Sequence, residues 1–222
     1  MRYDSIFDVV GHIITGPSSS HTAGAARIGF LSRIILGDTP KEAVIYLHGS
    51  FAETYRGHGT DKAIIGGLLG FSSDDERIRQ SFELASDFNL KFKFKKENLG
   101  TKYHPNTAKI ELRGSENAII TVIGSSIGGG NVIIKEINNL EAGFNADLFT
   151  LICIYKDNDQ IAGKITRAIT KHNLNTWNMH FAKNKEKGIS LLWTEMDSKI
   201  PKELITYIKN YPEILMVRAI NV

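Results

Sequence analysis

The last third of the chain leaves the least freedom of fold. FTLICIYK (149–156) is an unbroken apolar run of strand length, and QIAGKITRAITKHN (160–173) is amphipathic with a helical period. LNTWNMHFAK (174–183) predicts a second strand, which NKEKG turns back into a third, ISLLWTEM (189–196). PKELITYIKN (201–210) predicts a helix with proline in its first turn, where an amide hydrogen would have no intrahelical partner, and ILMVRAINV returns as a strand. The order is strand, helix, strand, strand, helix, strand, and it marks residues 146–222 as a compact unit.

That order is the ferredoxin-like split βαβ arrangement. The segment resembles an ACT domain, the small regulatory module of amino-acid metabolism. The resemblance implies edge-to-edge pairing into a homodimer, with amino acids bound at the interface. The turn KDNDQIAG (156–163), between the first strand and first helix, lies where that family's ligand-contacting loop lies. A dimerisation module that binds nothing is an equally open reading, because a fold alone does not fix a function.

Residues 1–145 have a different texture, rich in glycine and loops, and they hold most of the histidine and serine clusters. The expectation is two domains, 1–145 and 146–222, in an α/β protein of the α+β kind. With 42% hydrophobic and 23% charged residues the composition is that of an ordinary globular protein. No run of about 18 apolar residues is present to span a membrane. The start MRYDSIFDVVGHII carries Asp4 and Asp8 and lacks the basic-then-apolar layout of a signal peptide, so a cytoplasmic location is expected. A net charge of +3, with its 27 basic residues dispersed, argues against a nucleic-acid partner. LKFKFKKE (90–97) alternates Leu90, Phe92 and Phe94 with lysines, as an edge strand with one solvated face does. The sole cysteine, Cys153, excludes an internal disulfide and an all-cysteine metal site made by this chain alone. It sits in an apolar strand and is assigned no catalytic role.

Four stretches of the first half concentrate polar residues. In TGPSSSHTAG (15–24) three serines, His21 and Thr22 follow a Gly-Pro turn and run straight into a helix marked by Ala25, Ile28, Leu31, Ile34 and Ile35. One hydroxyl suffices to cap a helix. With Ser20, His21 or Thr22 as the cap, Ser18, Ser19 and the unpaired amides are left to meet an anion. In HGSFAETYRGHGTDKAIIGGLLG (48–70), Ser50 and Glu53 match a capping box, and glycines bracket His58 before Thr60 and Asp61 open another helix. Glycines let a ligand approach the backbone beside that histidine, which mere packing does not require. In YHPNTAKIELRG (103–114), Pro105 biases His104 to extended geometry and Asn106 favours a turn before a strand. In GSSIGGGNVIIKEIN (124–138), Gly128, Gly129 and Gly130 follow two serines between strands, as a backbone nest or a flexible connector does; the pattern is not that of a nucleotide P-loop.

GPSSSHT, GSFAETYRGHGTD, HPNT and SSIGGGN, in that order before the ACT-like tail, resemble the beta chains of the bacterial two-subunit, iron-sulfur-dependent L-serine dehydratases. The resemblance covers essentially the whole chain. It implies conversion of L-serine to pyruvate and ammonia, and a separate alpha chain whose cysteines hold a [4Fe-4S] cluster. An iron not fully occupied by cysteine would act as a Lewis acid on the substrate hydroxyl, a base would take the Cα proton, and fixed donors would hold the carboxylate. Within that scheme Ser18, Ser19, Ser20 and Thr22 are expected at the carboxylate, and His21 and His58 at proton handling or orientation. Which histidine acts is left open by the residues. Gly59, Thr60, Asp61, His104, Asn106, Ser125 and Gly129 are expected to contact or position substrate, and no residue of this chain is assigned to a metal. His12, His48, His172 and His180 lie in regular segments and read as structural.

The first half also resembles the allosteric substrate-binding domain that accompanies ACT domains in some phosphoglycerate dehydrogenases. A non-catalytic amino-acid-binding regulatory module is therefore the competing reading, and a plain homodimeric amino-acid binder is a third. The histidines separate them. A pure anion binder is served by amides, hydroxyls, lysine or arginine, and has no need of His21 and GHGTD together.

Overall fold

The structure is a computed structural model that describes residues 18–221. His12 and the Gly-Pro turn before Ser18 lie outside those residues. The chain divides into two compact units, Met1–Lys135 and Glu136–Val222. Among the described residues no helix is long and apolar enough to cross a membrane.

In the first unit a π-helical turn, Ser19–Ala23, leads into helix α1 (Gly24–Leu36), which stops at Gly37. There φ is +66° and the amide returns to the Arg33 carbonyl, a conformation open to glycine. Strand β1 (Pro40–His48), helices α2 (Gly49–Thr54) and α3 (Thr60–Leu69), and a 3-10 turn at Glu76–Gln80 follow. Helix α4 (Ser81–Asp87) and strands β2 (Lys91–Lys96), β3 (Thr107–Gly114), β4 (Ile119–Gly128) and β5 (Asn131–Ile137) complete it. The strands lie in the order β2-β1-β3-β4-β5. β1 runs parallel to β2 and antiparallel to β3.

Alternation decides which face of this sheet is covered. Ala43, Ile45 and Leu47 of β1 are fully buried or nearly so, with Ile110 and Leu112 of β3 and Val122 of β4. α1 lies over β4 and packs against α3, and Ile28, Leu31, Ile35, Ile64, Ile65 and Leu68 fill the interior. The two helices meet through glycine. A Cβ on Gly67 would lie 2.0 Å from the Ala26 carbonyl oxygen, and one on Gly29 would lie 2.3 Å from that of Ile64. β2 stands at the sheet edge, with Phe92 and Phe94 against Phe82 and its lysines alternating with them.

The second unit contains strand β6 (Leu140–Phe144), then β7 (Phe149–Lys156), α5 (Asp159–Lys171), β8 (Thr176–Asn184), β9 (Ile189–Met196), α6 (Lys202–Lys209) and β10 (Ile214–Ile220). β10-β7-β9-β8 form an antiparallel sheet. β7 and β9 are central and buried on both faces, which accounts for their continuous apolar runs. Leu151, Cys153, Tyr155 and Leu192 meet Ile161, Ile165, Leu204 and Ile208 of α5 and α6 in one core. Pro201 sits one step ahead of α6 as its N-cap, with ψ at 150°, and not inside the first turn.

Residues 140–144 lie in the first half by sequence texture, but the structure groups them with the second unit. Trp193 of β9 donates from Nε1 to the Ala142 carbonyl at 2.8 Å and packs its ring on Phe144. A buried indole N–H needs such a partner, and β6 supplies it.

Candidate active site

The serine-rich run forms the π-helical turn, a rare conformation frequently found at functional sites. Its cap is Ser18, not the expected Ser20, His21 or Thr22. Ser18 is extended (φ −148°, ψ 129°), and its hydroxyl accepts from the His21 amide at 3.2 Å. The Thr22 amide donates to the Ser18 carbonyl and that of Gly24 to the Ser19 carbonyl, so the amides of Ser19 and Ser20 stand at the start of the turn. Thr22 is buried, and its hydroxyl donates to the His58 carbonyl at 3.0 Å. That bond ties the first stretch to the second.

His21 is bonded at both ring nitrogens. Nδ1 lies 3.1 Å from Ser20 Oγ, with Ser18 Oγ at 3.5 Å, and Nε2 lies 3.0 Å from Ser50 Oγ. The Phe51 ring meets it edge-on with centroids 5.3 Å apart, and the His58 ring is 4.7 Å away. Burial, and secondarily the neighbouring His58, lower its pKa from the usual value of 6.5. A histidine so placed is neutral at neutral pH and able to accept a proton.

β1 reaches this point through Gly49, whose φ of +54° turns the chain directly into α2. A Cβ there would lie 2.8 Å from the Pro105 Cα, so glycine lets the HPNT loop sit against the helix start. His48 is the residue before α2. Ser50 is therefore not a capping residue; it lies inside the first turn and spends its hydroxyl on His21. Further on, Gly59 adopts φ +66° and leads into α3, with no side chain capping that helix. Thr60 is fully buried, and its hydroxyl has no partner; the same is true of His58 Nδ1. Asp61, 8% exposed, accepts from the Lys62 amide, and burial pushes its carboxyl above the ordinary value against that bond.

The remaining stretches close on the same place. His104 is exposed, and its Nδ1 accepts from the Asn106 amide at 3.1 Å, so in the neutral ring Nε2 carries the proton and faces outward from that bond. The buried Asn106 offers its carbonyl to the Ser126 amide at 2.9 Å. Thr107 donates to the His104 carbonyl at 2.6 Å and shares a 2.7 Å bond with Ser125 Oγ. Ser126, its neighbour, is buried with an unpartnered hydroxyl against α1, where a Cβ on Gly24 would lie 2.1 Å from Ser126 Oγ. Gly128, Gly129 and Gly130 all have positive φ and make the turn between β4 and β5, with Gly130 beside Ala23.

The first two stretches thus meet at His21 and His58, while the HPNT loop lies against the start of α2 and the β4–β5 stretch against Ala23 and Gly24. Ser50, Thr107, Ser126 and Gly24 join the site without having been singled out for it. Of the other histidines, Nδ1 of His48 accepts from the Leu99 amide, His172 caps α5 and bonds the Ala168 carbonyl, and His180 stacks on Trp193 at 4.2 Å. Among the described residues no three histidine, cysteine, aspartate or glutamate side chains are placed to hold a metal ion. Cys153 lies in the core of the second unit, where burial pushes its thiol far above the ordinary range.

Fold and site define a two-unit α+β protein whose first unit gathers two imidazoles and a row of hydroxyls at the start of a helix. The profile of the serine dehydratase beta chain family matches residues 5–137. The probable L-serine dehydratase beta chain of Bacillus subtilis is 37% identical, across 99% of each chain. The L-serine dehydratase beta chain of Peptoniphilus asaccharolyticus is 40% identical, across 90% of each. An L-serine dehydratase of Streptomyces coelicolor is 33% identical over a stretch that makes up 60% of this chain but 34% of that longer protein. The chain belongs to the serine dehydratase beta chain family.

Proposed function

We propose that this chain is the beta subunit of an iron-sulfur-dependent L-serine dehydratase, an L-serine ammonia-lyase acting in the cytoplasm together with an alpha chain. The observation that carries the reading is the meeting of two separate stretches at the His21–His58 pair, with the other two packed against them. The names of the relatives that align along most of the chain supply the substrate, L-serine.

Each residue has a role that its surroundings favour. The turn that begins at Ser18, with the hydroxyls of Ser19, Ser20 and Thr22 and the positive end of α1, receives the substrate carboxylate. His21, held neutral, and His58, tilted beside it, are the pair that handles the Cα proton or orients the group that does. Thr60, Asp61, Asn106, Ser125 and Gly129 shape the walls. His104, with its Nε2 free of the internal bond, meets the substrate from the outer side.

A [4Fe-4S] cluster needs thiolates, and the one cysteine here is buried in the second unit, so this chain does not fit it as ligand. The cluster is assigned to the alpha chain, and no step on this chain runs through it. Residues 146–222 act as an ACT domain that pairs with a second copy of itself.

The deciding experiment is anaerobic assembly. The purified chain alone is expected to release no pyruvate from L-serine, and activity is expected when it is combined with a cysteine-rich partner carrying a reconstituted cluster. Robust turnover by the chain alone sinks the reading, as does an assembled complex that leaves serine untouched.

A further inference from the structure

A groove runs along the side of α2 that faces away from the imidazoles. Ser50 and Phe51 of that helix meet His21, whereas Ala52 and Glu53, two and three residues on, turn the other way and line a cavity of about 360 Å³. The ends of β1 and β2 bound this cavity with His48, Lys96 and Glu97. A second cavity of about 360 Å³ continues it past Tyr55 and Arg56, and Glu53 and Lys96 line both. These volumes fall within the usual range of small-molecule sites, roughly 300–1,000 Å³.

The ionic groups along the groove differ in how far they are already engaged. Glu97 is spent on Lys109, 2.8 Å away. Among the described residues the Glu53 carboxylate has no hydrogen-bond or ion-pair partner, and because α2 begins at Gly49 it closes no capping box with Ser50. The Lys96 ammonium and the Arg56 guanidinium lie 6.0 and 5.5 Å from the centroid of the Tyr55 ring, and neither is in an ion pair among the described residues. Tyr55 in turn stacks on Phe94 of β2, which gives the groove an aromatic floor. Nδ1 of His48 accepts from the Leu99 amide at 3.2 Å, so the neutral ring keeps an N–H at Nε2.

One unengaged carboxylate beside two unengaged cations selects among ligand classes by charge. A plain anion would bring like charge to Glu53, and a plain amine would bring like charge to Lys96 and Arg56. A zwitterion with its two charges on one carbon answers both.

We propose that this groove binds a free α-amino acid, with the ammonium on Glu53, the carboxylate on Lys96 and Arg56, and the side chain toward Ala52 and Tyr55. The site is separate from the serine-rich turn and does not depend on the chain's acting on serine. Its test is titration of the full chain alone with L-alanine, the simplest chiral carrier of both α-groups, followed residue by residue in assigned 15N–1H spectra. Saturable millimolar shifts are expected at Glu53, Tyr55, Arg56 and Lys96. L-Lactate, with a hydroxyl in place of the ammonium, and isopropylamine, with a methyl in place of the carboxylate, are expected to leave those residues unmoved at the same concentrations. Glu53→Gln and Lys96→Met are each expected to weaken L-alanine about 10-fold or more, as loss of a charge-assisted bond does, with circular dichroism unchanged because both side chains are exposed. No shift at the groove, shifts confined to the Ser18–Thr22 turn or to residues 156–163, lactate binding as well as alanine, or variants that bind like wild type overturn it. None of these readouts needs turnover, so an empty groove leaves the proposed function standing, and a chain inactive on serine leaves the groove standing.

Discussion

His21 and His58 are separated in sequence by two helices' worth of chain and in space by 4.7 Å between ring centroids. If they handle the proton, replacing either by alanine in the assembled enzyme should cost about 10²–10⁴-fold in turnover, the usual range for a positioned acid or base. The urea midpoint of the same variants should move little, because both rings are only partly buried. Wild-type kinetics in both variants would remove them from the chemistry. These two histidines were singled out because serines or glycines flank them, and packing alone gives no reason for that. Ser50 was misread because S-x-x-E is a local capping pattern, whereas its hydroxyl meets His21 of the π-helical turn, far away in sequence. Ser125 was chosen over Ser126 without a local reason. Adjacent strand residues point to opposite faces, and only the pairing of β4 shows that Ser125 is taken by Thr107 while Ser126 faces Gly24.

At the scale of elements, two neighbouring glycines of α3 give a sharp contrast. Alanine in place of a helical glycine gains about 1 kcal/mol in propensity. At Gly66 the new Cβ would meet Ile78 Cγ1 at 2.8 Å, a side-chain atom that must shift, while the nearest backbone atom stands off at 3.5 Å. At Gly67 it would meet the Ala26 carbonyl oxygen at 2.0 Å and the Phe30 amide nitrogen at 2.6 Å, backbone that cannot yield without parting the helices. Gly67→Ala should therefore destabilise by about 2 kcal/mol, and Gly66→Ala should stay within about 1 kcal/mol of wild type. Urea unfolding followed by far-ultraviolet circular dichroism distinguishes them, and equal midpoints would contradict the close helix contact. Periodicity revealed β3, β7 and β9 with their observed bounds because each is a long run of one pattern. It gave no sign of the π-helical turn or of the parallel β1–β2 pairing, which depend on where distant segments pack.

For the whole molecule, the proposed homodimer makes its own demand. β8 ends the order of the second sheet and carries two of the most exposed large apolar side chains, Trp177 at 71% and Phe181 at 54%. An edge of that kind invites pairing with another chain. The double variant Trp177→Glu and Phe181→Glu should sediment as a monomer where the wild-type chain sediments as a dimer, with its circular dichroism unchanged. A dimer that survives both changes would move the interface elsewhere. Cys153 marks the other extreme of accessibility, and its place in the core keeps this unit's only thiol out of any chemistry at that edge.

The glycine contact between α1 and α3 also has a meaning for the reaction. Both helices spring from the site, one directly after His21 and the other directly after His58 and Gly59, and they are clamped together within about two turns, at Gly29 and Gly67. The contact is thus a gauge block: the thickness of bare backbone limits how closely the two helices approach, and the turns that carry the imidazoles lead directly into them. A methyl group wedged there would part the two helices without touching His21 or His58.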